Sequence, residues 1–276
     1  MESSNKYGLI AGNGRFPFLV LQAARSQGID MVVAAIREEA FPEIEQQAAK
    51  VHWLSLGQLG KLIQTFKAEG VNRAIMAGQV RHNKIFSSIV PDLKMMQLLA
   101  SLATRNTDSL IGAVARVLED EGIHLMDSTT FLQPLLPEPG VLTKRGPSDE
   151  ENRDIAYGCR IASELGQLDL GQTVAICDGA CVALEAMEGT DAVIERAASL
   201  VNGRPLHIVK LAKPNQDLRF DVPVIGIPTI QLMARAKATA IAIEARKTLM
   251  MDRAELIAEA DRSGIAVVAV SPPRGG

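Results

Sequence analysis

Cysteine is scarce in this 276-residue chain: Cys159, Cys177 and Cys181 are too few, and odd in number, for a disulfide framework. Cys177 and Cys181 stand four apart with no second ligand pair nearby, so they read as small buried hydrophobes rather than zinc ligands. Aromatic residues make up only 4%, with a single tryptophan. Neither sign of charge dominates, since 29 Lys and Arg face 32 Asp and Glu for a formal net charge of -3. Lacking a basic excess and any aromatic-rich stretch for stacking on bases, the chain is not expected to bind nucleic acid. Long apolar runs are missing as well. Met31–Ile36 is among the longest, far short of the ~20 residues of a membrane helix. The opening residues have neither the basic nor the apolar region of a secretory signal, so a cytoplasmic protein is expected. What is present is 47% hydrophobic residues at low net charge, which excludes disorder and leaves a globular protein of mixed α/β class.

The first third alternates strand and helix. Apolar residues at 7–11 end in Gly12, Asn13 and Gly14; residues 18–26 have helical spacing, with Pro17 suited to a first helical turn. Met31–Ile36 is continuously apolar, as a strand buried on both faces requires. An amphipathic helix over 56–69 and a strand over 74–77 follow. This rhythm predicts a Rossmann-like parallel-sheet domain with right-handed crossovers over residues 1–132, closed by helices at 91–103 and 108–121 and a short strand at 124–126. Three prolines and a glycine within 133–140 mark a linker or hinge at 133–145. A second α/β domain is predicted over 146–276: a helix at 149–165, a hairpin of 173–178 with 181–185, a helix at 191–201, a strand at 206–211 and a further strand–helix alternation.

Three segments carry candidate chemistry. Gly12, Asn13 and Gly14 fall in the first βα loop, where backbone N–H groups and a helix N-terminus favour an anion. They are not a dinucleotide fingerprint: position 17 is proline, and Arg37 stands first after the second strand where an acidic residue is wanted. A phosphate or nucleotide site and a plain tight turn both stay open here. Gly78 and Gln79 follow the strand at 74–77, with Arg81, His82 and Lys84 as positive charge for a phosphorylated substrate or as a solvated basic loop. The third segment, K-P-x-Q-D-x-R-x-D-x-P over 213–223, is the most informative. If extended, it places Asp217, Arg219 and Asp221 on one face and Leu218, Phe220 and Val222 on the other. Paired carboxylates suit Mg²⁺ or a water poised for attack on phosphorus, while Lys213 and Arg219 suit the charge of a pyrophosphate; a solvated edge strand is the plainer alternative. Asp178, Thr190 and Asp191 lie in acidic turns, Thr190 or Asp191 also being a ready helix cap. His52, His124 and His207 lie in apolar stretches and read as structural.

Taken together, residues 8–17, 76–80, 188–191 and above all 213–226 resemble the two-domain UDP-2,3-diacylglucosamine diphosphatases (pyrophosphatases) of lipid A biosynthesis, the type unrelated to calcineurin-like phosphoesterases. The resemblance spans essentially the whole chain. It implies Mg²⁺-dependent hydrolysis of UDP-2,3-diacylglucosamine to UMP and 2,3-diacylglucosamine 1-phosphate (lipid X), with water attacking the phosphorus on the sugar. It implies a C-terminal domain of unusual topology and a lipid held between the domains. Roles follow: Asp217 and Asp221 hold Mg²⁺ or position water, Lys213 and Arg219 neutralise the pyrophosphate, and Gln216 orients it. Gly12, Asn13, Gly14, Gly78, Gln79 and Arg81 contact the head group, supported by Asp178, Thr190 and Asp191. A homodimer and a peripheral contact with the inner membrane are compatible with this picture. Two other classes stay open: a nucleotide-cofactor enzyme using the glycine loop, and a non-catalytic binder of lipid or nucleotide.

Overall fold

A computed structural model describes residues 6–80, 90–102 and 107–271, without the side chains of Thr107 and Asp108. The chain divides into two compact units, one of residues 1–132 with Asp217–Phe220, the other of Gln133–Gln216 with 221–276.

The first unit is built on a parallel sheet of β1 (Lys6–Ala11), β2 (Met31–Ile36), β3 (Lys50–Leu54), β4 (Val71–Ala77) and β5 (His124–Leu125), in the order β3-β2-β1-β4-β5. That order reverses direction between β1 and β4, the place where open α/β sheets leave a crevice at the carboxyl ends of their strands. Helix α1 (Phe16–Ser26) starts with Pro17 in its first turn and buries Val20, Leu21 and Ala24. Helix α2 (Leu59–Glu69) buries Leu59, Leu62, Ile63 and Phe66 in one core with Leu98 of α3 (Leu93–Ser101) and Leu118 of α4 (Thr107–Asp120). The strand predicted as third is in fact fourth. β3 escaped the sequence reading because it is an edge strand, Lys-Val-His-Trp-Leu, with one buried residue and no apolar run.

The second unit carries a mixed six-stranded sheet and a two-stranded parallel one. Its strands are β6 (Gly140–Val141), β7 (Thr173–Cys177), β8 (Ala180–Leu184), β9 (Leu206–Lys210), β11 (Ala238–Glu244) and β13 (Ala266–Val270), ordered β6-β13-β11-β9-β7-β8. β13, β11 and β9 run parallel, whereas β6, β7 and β8 each oppose their neighbour. β10 (Val224–Ile225) pairs with β12 (Leu249–Met250). Gly140–Val141, within the stretch read as a linker, is thus an edge strand of this sheet. Helix α5 (Asp149–Gln167) covers one face, packing Ile155, Ala162 and Leu165 on Val174, Ile176 and Val209. Helices α6 (Thr190–Leu200), α7 (Ile227–Arg235) and α8 (Arg253–Arg262) cover the other through Val193, Ile194, Ile230, Met233 and Leu256. Ser148 and Glu151 form a capping box at the start of α5, and Arg145 grips Glu151 with two hydrogen bonds of 2.7 and 2.8 Å. The three cysteines are free thiols, and burial, helped by the charge of Glu244, pushes Cys159 up to about 11.

Candidate functional site

In the first unit the two glycine loops emerge side by side from the carboxyl ends of β1 and β4, at the point of strand-order reversal. They are bound to each other. The Gly12 N–H donates to the Ala77 carbonyl at 2.8 Å, the Asn13 N–H to the Gln79 carbonyl at 2.8 Å, and the Gln79 N–H to the Asn13 carbonyl at 3.0 Å. A Cβ on Gly12 would lie 2.7 Å from the Gln79 carbonyl oxygen, and one on Gly78, whose φ is +89°, 2.5 Å from that of Asn13. The close approach these glycines permit is therefore between the two loops, and the N–H groups of Gly12, Asn13 and Gln79 already have protein acceptors. Asn13 also donates its side-chain amide to the Glu39 carbonyl at 3.1 Å. Gly14, at φ +95°, has open space where a Cβ would be. Arg81, His82 and Lys84 lie outside the described residues.

The 213–223 segment is not the extended strand that alternation predicts. The Asp217 carboxylate turns back on its own chain, accepting from the Arg219 N–H at 3.1 Å and from its guanidinium at 2.6, 2.8 and 3.1 Å. This grip holds the Asp217 carboxyl below its ordinary range and raises Arg219. Residues 217–220 belong to the first unit, where the Ser128 N–H donates to the Leu218 carbonyl at 2.9 Å. The buried Ser128 hydroxyl lies 2.6 Å from the Met76 carbonyl and 2.7 Å from that of Arg219, and Phe220 packs on the first unit's core. In the second unit, Gln216 braces its own loop, accepting from the Lys213 N–H at 2.8 Å and donating to the Asp221 carbonyl at 3.0 Å. Lys213 pairs with Asp169 at 2.7 Å.

The carboxyl end of β9 gathers a different set. Lys210 ends that strand opposite Thr173, the first residue of β7. Its ammonium donates to the Thr190 hydroxyl at 2.7 Å, and Thr173 and Thr190 share a hydrogen bond of 3.0 Å. Thr190 is therefore not a cap: Gly189 holds that position, and the hydroxyl serves Lys210. Asp191 accepts from Thr229 at 3.2 Å. Burial pushes Lys210 below the ordinary lysine value, opposed by the charges of Glu185, Asp191 and Asp221. The structure thus groups Thr190, Asp191 and Asp221 of the sequence-derived set around a lysine that sequence reasoning missed. Asp178 is elsewhere: it follows the far end of β7, about 17 Å along the strand, and pairs with Arg204 at 2.7 Å. His207 is buried and bonded to Asp154 at 2.8 Å, a structural pairing; His52 meets Glu69 at 3.0 Å, and the exposed His124 meets Glu119 at 2.7 Å.

Asp217, one of the two carboxylates expected to hold Mg²⁺, is turned to Arg219 in this structure. Both oxygens of Asp217 are engaged by the guanidinium, and the described residues contain no group of three or more His, Cys, Asp or Glu placed to hold a metal. Among the described residues, no helix is long and apolar enough to cross a membrane.

Residues 6–135 match the family model of the LpxI N-terminal domain, and residues 138–268 that of the LpxI C-terminal domain. The chain belongs to the LpxI family. An LpxI relative of Caulobacter vibrioides, UDP-2,3-diacylglucosamine pyrophosphatase LpxI, is 34% identical over 277 residues, covering 97% of this chain and 98% of its own. Among solved structures, phosphoribosylglycinamide synthetase from Anaerococcus prevotii is 15% identical, covering 63% of this chain and 32% of its own, with a TM-score of 0.28. The biotin carboxylase domain of 2-oxoglutarate carboxylase from Hydrogenobacter thermophilus is 16% identical, covering 63% and 35%, with a TM-score of 0.26. This LpxI chain spans about a third of the length of either structure, and likeness at those scores decides nothing about it.

Proposed function

We propose that this protein hydrolyses the pyrophosphate bond of UDP-2,3-diacylglucosamine, giving UMP and 2,3-diacylglucosamine 1-phosphate (lipid X) for lipid A synthesis. The observation that carries the reading is the near full-length match to the Caulobacter vibrioides pyrophosphatase. The oxygen of water forms a new bond to the sugar-side phosphorus, the bond from that phosphorus to the bridging oxygen breaks, and UMP leaves with the bridging oxygen. Asp221 positions the water and takes its proton, in a region where the buried charge of Lys210 favours an ionised carboxylate. Lys213 and Arg219 turn toward the pyrophosphate when it displaces Asp169 and Asp217 from them. The Gly12–Gly14 and Gly78–Gln79 loops support the uridine head group, their mutual bridge giving a rigid floor. The resemblance implies a Mg²⁺ requirement.

The test is UMP release from UDP-2,3-diacylglucosamine by purified protein, with Mg²⁺ and with EDTA, in water enriched in the heavy oxygen isotope. Release with label in lipid X is expected; label in UMP would move the attack to the other phosphorus. No release from folded protein would overturn the hydrolase reading.

A further inference from the structure

Lys210 is buried deeply for a lysine, within reach of the charges of Glu185, Asp191 and Asp221. It is 6% exposed, at the end of a strand whose five residues are all buried. A buried ammonium is costly unless it is paired and fully hydrogen-bonded, and it has three N–H donors to satisfy. Among the described residues Lys210 makes one hydrogen bond, to Thr190, and no ion pair. The charges of Glu185, Asp191 and Asp221 act on it without an ion pair among the described residues, Glu185 and Asp191 also accepting from the Gln172 N–H and from Thr229. The ammonium sits at the carboxyl end of the parallel strands β9, β11 and β13, the edge where open α/β sheets take ligands, beside the N-terminus of the 11-residue α6. Lys213 and Arg219, the cations expected at the pyrophosphate, each hold a carboxylate of the protein.

We propose that Lys210, seated on Thr190, is the group that receives a phosphoryl oxygen of the substrate, the ligand accepting further hydrogen bonds from an ammonium that makes one among the described residues. This rests on the pyrophosphatase reading above. It requires that the residue cost stability in the free protein and return it on binding, a signature that a structural lysine does not give.

The experiment uses the full chain, with UMP and inorganic pyrophosphate as probes. Lys210→Met is expected to raise the melting temperature of the free protein by about 2–4 °C, because it removes an ammonium whose desolvation outweighs the carboxylate charges near it. It is expected to abolish the further rise that the probes give the wild type, and to lower kcat/KM about 100-fold or more. Lys210→Arg, which keeps the charge, retains part of the probe-induced rise. A lower melting temperature in Lys210→Met, or an unchanged probe response, overturns the proposal. Thr190→Val leaves the ammonium but removes its seat, and is expected to weaken UMP binding about 10-fold; unchanged binding removes Thr190 from the site. Wild type that releases no UMP, yet binds pyrophosphate in a Lys210-dependent way, fails the hydrolase reading and keeps the anion site. Equal turnover by wild type and Lys210→Met fails the anion site alone.

Discussion

The two units handle polarity differently at the carboxyl edges of their parallel strands. In the first, the loops after β1 and β4 satisfy each other through the main chain, and glycine at 12 and 78 is what lets them meet. In the second, the polarity resides in side chains, with an ammonium, two threonines and carboxylates packed where an apolar strand ends. In the first edge the N–H groups of Gly12, Asn13 and Gln79 all have main-chain acceptors. The second holds an ammonium that makes one hydrogen bond among the described residues. Main-chain groups engaged with each other make a rigid edge, whereas a buried cation with one hydrogen bond among the described residues leaves donors that the proposed ligand would use.

The largest effect that can break this contrast is expected from Asp221→Ala, which should lower kcat about 1000-fold while leaving thermal unfolding near that of the wild type. UMP release beside a melting curve checks it, and unimpaired turnover would remove Asp221 from the chemistry. Arg219→Met comes next, at about 10–100-fold in kcat/KM, because on the proposed mechanism it takes one cation from the pyrophosphate, and it unpairs Asp217. The contrast sharpens with Gly78→Ala, whose Cβ meets the Asn13 carbonyl in a left-handed backbone. A loss of about 3 kcal/mol is expected in the first unit, read as faster amide exchange in β1 and β4 with β9 and β11 unaffected. The smallest effect concerns acid. Burial raises the Glu151 carboxyl, yet the Arg145 grip and the cap hydrogen bonds bring it down from 4.5 to about 2. A folded-state value below the unfolded one means stability that is present above pH 4.5 and is lost as pH falls toward 2. Arg145→Met should therefore cost about 2 kcal/mol at neutral pH, less than a fully buried pair would, and the difference from wild type should shrink across that window in urea titrations.

Much of the fold was legible because buried parallel strands announce themselves as continuous apolar runs, as Met31–Ile36 does. β3 was not, since an edge strand with Lys50, His52 and Trp53 has no such run. At the candidate site the legible part was residue type and the hidden part was conformation. Asp217, Arg219 and Asp221 were visible as a charged pattern, but alternation presumes an extended chain, and an Asp that accepts from the N–H two residues on makes a turn instead. Lys210 was hidden for the opposite reason. A lysine closing an apolar strand looks like the start of solvent, and only tertiary packing reveals that it stays inside.

The four residues Asp217–Phe220 complete a unit whose other described residues end at Leu132. As the chain leaves the ribosome, the N-terminal sheet can form long before Leu218 exists; the Ser128 hydroxyl already has the Met76 carbonyl, but its N–H waits for an acceptor some ninety residues away. The N-terminal half thus reaches its finished state only after most of the C-terminal half has been synthesised. A protein cut between residues 132 and 133 would yield a first half with a permanent gap in its surface.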